Sequence, residues 1–111
     1  MYNPIEHQIA LGRIEEFISS RGYSVKYDST EYYVDWSDNT IHAPKRYRTN
    51  PKLICALLHE AGHIITPDSL LLHSKRSMKR NQAVVIEQEY LAWSNGINIA
   101  DELNIMTESF I

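Results

Sequence analysis

His59-Glu60-Ala61-Gly62-His63 puts two imidazoles and a carboxylate within five residues. The run has the form His-Glu-x-x-His. On a helix, its two histidines stand one turn apart, about 6 Å along the axis and roughly 40° around it. Both rings can then reach one metal ion from the same side, a geometry suited to tetrahedral zinc. Glu60 falls at the rim of such a site. A carboxylate there can take a proton from water held at the metal's open position, which is the chemistry of metal-assisted hydrolysis.

The flanking residues support a helix. Leu53-Ile54-Cys55-Ala56-Leu57-Leu58 precede the motif and Ile64-Ile65 follow it. A helix this apolar must be largely buried. Two imidazoles and a carboxylate buried without partners would be strongly unfavourable. A zinc ion removes that cost: the histidines bind it as neutral rings, and the metal sets positive charge beside Glu60. Gly62 points the same way. Glycine inside a helix costs about 1 kcal/mol relative to alanine, and is expected where another element approaches closely.

Catalytic zinc takes three protein ligands and keeps one position open. The candidates for the third ligand are Glu87, Glu89, His73 and His42. Glu87 and Glu89 lie two apart on a helix and point to nearly opposite sides, so at most one can bind. Both have apolar neighbours three and four positions away, and periodicity does not choose between them. His73 would complete a three-histidine site through a loop, although Ser69 stands where the longer HExxHxxGxxH pattern carries its third histidine. It is also the only donor for a fourth ligand, which would make the site purely structural. Cys55, one turn before His59, is assigned to core packing. His42 is either an ordinary strand histidine or a donor to substrate or oxyanion, and Tyr90 is a second candidate for that donor.

These side chains need elements to position them. Asn3-Pro4-Ile5-Glu6 reads as a helix start, with Asn3 as cap and Pro4 in the first turn. Ile5, Ile9, Ile14, Phe17 and Ile18 recur at helical spacing as one apolar face. Gly22 ends this helix. A short strand is expected near Val25. Tyr32, Val34 and Trp36 alternate with polar residues, Ser37-Asp38-Asn39 turns, and Thr40–Ala43 returns as a strand stopped by Pro44, together a hairpin. Asn50-Pro51 opens the helix that carries the motif, and Thr66-Pro67 ends it. Residues 67–80 read as a loop, with a helical turn near 69–73. A third helix is expected from Asn81 to Ser94, ending at Asn95-Gly96. A short last helix is expected from Ile99 to Asn104, capped by Asn98.

A chain of 111 residues fits one domain spanning 1–111, of α+β class. Its single cysteine excludes an internal disulfide and fits a reducing compartment. No signal peptide or membrane-length apolar run is read, so the expectation is a cytoplasmic protein with no membrane partner, or a host-cytoplasmic one if phage-encoded. The net charge of −3 is unevenly spread. Residues 45–80 hold eight basic and two acidic residues and bracket the motif. Two solvated loops explain this. A basic rim steering an acidic protein or a nucleic acid toward the metal explains it too.

Glu89-Tyr90-Leu91-Ala92 resembles the Glu-x-x-Ala pattern that follows HExxH in gluzincin metallopeptidases. The order of helix, hairpin, HExxH helix and Glu helix is similar to that of the small ImmA/IrrE-type zinc peptidases, over roughly residues 31–93. The resemblance implies a minimal zincin-like domain with Zn2+ held by His59, His63 and Glu89, and Glu60 as general base. It further implies a regulatory protease that cuts a protein substrate such as a transcriptional repressor, from a phage or other mobile element. The substrate would lie extended along an edge strand of the small sheet, with Thr40–Ala43 as the candidate, by strand addition. The rival from another class is a zinc-containing module that grips a protein or nucleic acid without cutting it.

Overall fold

The computed structural model describes residues 3–45, 50–66 and 82–107, with side chains from residue 89 onward in the last helix. The elements run α1 (Pro4–Ser20), β1 (Ser24–Ser29), β2 (Tyr33–Asp35), β3 (Thr40–Pro44), α2 (Lys52–Ile65) and α3 (Gln82–Glu102). Among the described residues, three helices and a small mixed sheet make an α+β fold.

Helix α1 starts as its sequence demands. The Asn3 side-chain oxygen accepts from the backbone N–H of Ile5 at 2.9 Å and of Glu6 at 3.3 Å, satisfying two otherwise unpaired donors. At the other end Gly22 takes φ 82°, and the Tyr23 N–H reaches back to the Ile18 carbonyl at 3.2 Å. Only glycine adopts that conformation without penalty. The buried face is His7, Ala10, Leu11, Ile14, Phe17 and Ile18. Ile5 and Ile9 were expected on it, but they are exposed. They fall on a neighbouring, exposed stripe, while His7, invisible to hydropathy, takes a core position.

The sheet order is β1-β3-β2. The expected hairpin is present: β2 pairs antiparallel with β3 through Tyr33↔His42, Val34↔Ile41 and Asp35↔Thr40. It is shorter than its alternation suggested, with Tyr32 and Trp36 outside the strand. The Asp35 carboxylate accepts from the Ser37 N–H at 3.1 Å and the Ser37 hydroxyl at 2.7 Å, which shapes the turn. The strand expected near Val25 is a full six residues and pairs parallel with β3. Thr40–Ala43 is therefore central, with hydrogen-bonded neighbours on both sides. The expectation that a substrate strand adds along it is incorrect, because its backbone donors and acceptors are already used.

The largest departure is in α3. Asn95-Gly96 was expected to stop a helix, and a separate one to begin after Asn98. Instead one helix runs from Gln82 to Glu102. Both residues serve the contact with α2. A Cβ on Gly96 would lie 2.8 Å from the Leu58 carbonyl oxygen. The Asn95 side-chain amide donates to the Thr66 hydroxyl at 3.1 Å, and that hydroxyl donates to the Gly62 carbonyl at 2.5 Å. The helix ends later, at Asn104 with φ 59°. There the Arg13 guanidinium donates to the Leu103 carbonyl at 3.1 Å, a cation on a helix C-terminus.

The core joins Leu11, Ile14 and Ile18 of α1, Ile41 and Ala43 of β3, Leu53, Ile54 and Leu57 of α2, and Ile99 and Ala100 of α3. This packing holds α2 and α3 at a fixed separation and rotation, on which the site depends. No helix among the described residues is long and apolar enough to cross a membrane.

Candidate metal centre

Helix α2 buries Leu53, Ile54, Leu57, Leu58 and Ala61, and with them Glu60 and Gly62. His59 and His63 sit at the edge of that face, one turn apart, with ring centroids 4.6 Å apart and planes at 80°. Just ahead of the helix, the Asn50 side-chain oxygen accepts from the Lys52 N–H at 2.9 Å and satisfies one of the unpaired donors of the first turn.

Glu89 comes from α3. Its Oε2 lies 2.9 Å from His59 Nε2, and its Oε1 lies 3.0 Å from His63 Nε2. One carboxylate therefore faces both imidazoles. Its approach depends on two close backbone contacts between the helices. A Cβ on Gly62 would meet the Ala92 carbonyl oxygen at 2.0 Å, so α3 occupies the space that any other side chain would take. Gly96 against Leu58 makes the matching contact one turn along each helix. The glycine in the motif and the alanine three residues after Glu89 thus set the distance at which the carboxylate meets the histidines.

His59, His63 and Glu89 offer ligand atoms that all lie within 4.8 Å of one another. This set could hold a metal ion. Bonds of about 2.0–2.1 Å in a tetrahedron place neighbouring ligand atoms about 3.4 Å apart. The observed 2.9 and 3.0 Å hydrogen-bond contacts need only a few tenths of an ångström of opening to admit a cation. Two imidazoles with one carboxylate is also a donor set that zinc takes in hydrolytic sites. His59 Nδ1 is buried and has no hydrogen-bond partner among the described residues, so the ring's polar interactions are all made on the Nε2 side.

Electrostatics favour the metal-binding forms. Burial holds the His59 ring below the ordinary histidine range; the neighbouring His63 adds to this, and Glu89 opposes it. Burial also lowers His63, again against Glu89. Both rings are thus biased toward the neutral form that donates a lone pair. Burial raises the Glu60 carboxyl to about 7, with the Glu89 charge adding to the effect. A carboxyl poised there can accept a proton and return it near neutral pH.

No family model, no curated protein and no solved structure matches this chain.

The other expected residues divide as follows. His42 is not in the cluster. Its Nδ1 meets Asp28 Oδ1 at 2.6 Å and its ring stacks on Tyr33 at 4.7 Å. It alternates with the buried Ile41 and Ala43 and so lies on the sheet face away from the core. Tyr90 is 70% exposed beside Glu89. Cys55 is partly buried and packs against the core, as expected. The Glu87 side chain, His73 and the expected loop turn at 69–73 lie outside the described residues, as do most of the basic residues between 45 and 80.

One residue was missed. The Trp93 ring lies 4.2 Å from the His59 ring, tilted by 35°. It stands four positions after Glu89, one turn along the same helix face. That spacing was available in the sequence, but it has meaning only once Glu89 is known to face the histidines.

Proposed function

We propose that this protein is a zinc-dependent peptidase. The supporting observation is that Glu89, reaching across from a second helix, sets its carboxylate between the Nε2 atoms of His59 and His63. His59, His63 and Glu89 would hold the ion. When bound, zinc supplies Lewis acidity, lowering the pKa of water toward about 7 and polarising a carbonyl oxygen.

The remaining chemistry belongs to the chain. Glu60 lies beside the two histidines on α2, largely shielded from solvent. Its carboxylate takes a proton from the water that attacks the peptide carbonyl, then gives it to the departing amide nitrogen. The likeness of His59-Glu60-x-x-His63 and Glu89-x-x-Ala92 to small ImmA/IrrE-type peptidases supports a regulatory role on a protein substrate, of the repressor-cleaving kind.

The test is cleavage of an unbiased peptide mixture, with new termini read by mass spectrometry. Zinc-loaded protein should generate new termini, and a chelator should suppress them. An absence of metal-dependent cleavage over hours at micromolar enzyme would leave a binding module as the better reading.

A further inference from the structure

Helix α3 carries an exposed apolar stripe that neither the fold nor the proton-transfer chemistry uses. Tyr90, Trp93 and Ile97 are 70%, 50% and 57% exposed, at spacings of three and four that align them on one face. The stripe begins beside Glu89 and leads away from the metal cluster. Past Trp93 it opens on a cavity of about 210 Å3 lined by Cys55, Leu58, Trp93, Gly96, Ile97 and Thr107. Among the described residues the lining holds no charged side chain. Trp93 forms a common wall: its ring touches His59 and also borders the cavity.

We infer that this cavity is the specificity subsite of the peptidase, receiving one large apolar side chain of the substrate, with Trp93 and Ile97 as the selecting residues. The inference rests on the peptidase reading above. Three observations carry it. The cavity shares Trp93 with the metal cluster, since the indole that borders it also lies 4.2 Å from the His59 ring, and an extended peptide advances about 3.3 Å per residue, so the side chain that enters would belong to a residue near the scissile bond. The volume exceeds the roughly 150 Å3 of an apolar cavity that admits benzene, so leucine or phenylalanine fits. Among the described residues the lining offers a charged side chain no partner, whereas an apolar one is removed from water.

The test uses acetyl-Ala-X-Ala amides with X as Leu, Phe, Ala or Asp, titrated into metal-free and zinc-loaded protein. Binding is followed by the NMR signals of the Trp93 indole N–H and the Ile97 methyl groups, and the cleavage profile of a peptide mixture is recorded in parallel. Leu and Phe peptides should bind about tenfold or more tightly than the Ala peptide, the effect of burying one such side chain, with the Asp peptide weakest. Ile97→Asp, at an exposed position, and Cys55→Phe, which fills the cavity, should both abolish the preference while zinc affinity is unchanged. Equal binding of all four peptides, or a preference that survives both variants, overturns the subsite even if cleavage is observed. A Leu preference sensed at Trp93 and lost in both variants, in a protein that never cleaves, supports the subsite and overturns the peptidase reading.

Discussion

Glu60→Gln is expected to lower kcat/KM for peptide cleavage by about 10²–10⁴-fold, the usual contribution of a positioned general base, while zinc still binds. Glutamine keeps the shape of the side chain and loses its capacity to hold a proton. Glu60 is 7% exposed, so nothing else of its size can enter to replace it.

The same variant also has a stability signature in the metal-free protein. The folded state keeps the Glu60 proton up to about pH 7, whereas the ordinary value is 4.5. The folded-state value is raised, so this group's contribution to stability is complete below 4.5 and is lost as pH rises through about 7. At pH 8 the buried carboxylate should cost the wild type about 3 kcal/mol that the glutamine variant does not lose. At pH 5 the two proteins should differ far less. His59 and His63 act in the opposite sense: their folded-state values are lowered, so their contribution is present above the ordinary histidine value and lost as pH falls. That trend is common to both proteins and cancels in the comparison. Thermal unfolding in chelator at the two pH values measures the difference. A variant that cleaves like the parent removes Glu60 from the proton path, and equal stabilities at pH 8 remove the buried-carboxylate account.

Gly62→Ala carries the second large effect. The added Cβ would sit 2.0 Å from the Ala92 carbonyl oxygen and 2.9 Å from its carbonyl carbon, both backbone atoms. Neither can rotate away, so α3 must shift by more than an ångström. Overpacking of this kind costs about 1–3 kcal/mol or more, against about 1 kcal/mol gained in helix propensity. The expected result is a lowered Tm and a zinc affinity weakened more than about tenfold, because Glu89 travels with Ala92. Gly12→Ala is the internal control. Its Cβ meets nothing within 4 Å in the interior of α1, so this change should be neutral or stabilising by up to about 1 kcal/mol. Equal behaviour of the two variants would show that the close helix contact is not what positions the carboxylate.

The parts of this site that were legible in the sequence are those governed by local rules. His59, Glu60 and His63 share one helix, so the 3.6-residue period alone brings them together. Gly62 was legible through its cost, and Ala92 accounts for that cost. The choice of Glu89 over Glu87 needed the rotation of α3 against α2, which no local pattern contains; it came only from the resemblance. Asn95-Gly96 misled because the dipeptide that ends helices is also the one that lets a helix pass close to another backbone. Ile5 and Ile9 misled because helical spacing allows two adjacent stripes, and only the position of the sheet chooses between them. The hairpin was legible from alternation and turn chemistry. The insertion of β3 between β1 and β2 was not, since parallel pairing leaves no local signature.

The most direct test of the metal centre is a competition titration of purified, metal-stripped protein with zinc at neutral pH, repeated on His63→Ala and Glu89→Ala. One zinc per chain should bind the wild type, and each variant should weaken that binding by more than about a hundredfold, beyond the loss seen when only an outer-shell partner of a ligand is removed. A wild-type protein that takes up no zinc with His59 and His63 intact, or a Glu89→Ala protein that binds as tightly as its parent, would contradict the two-helix metal site.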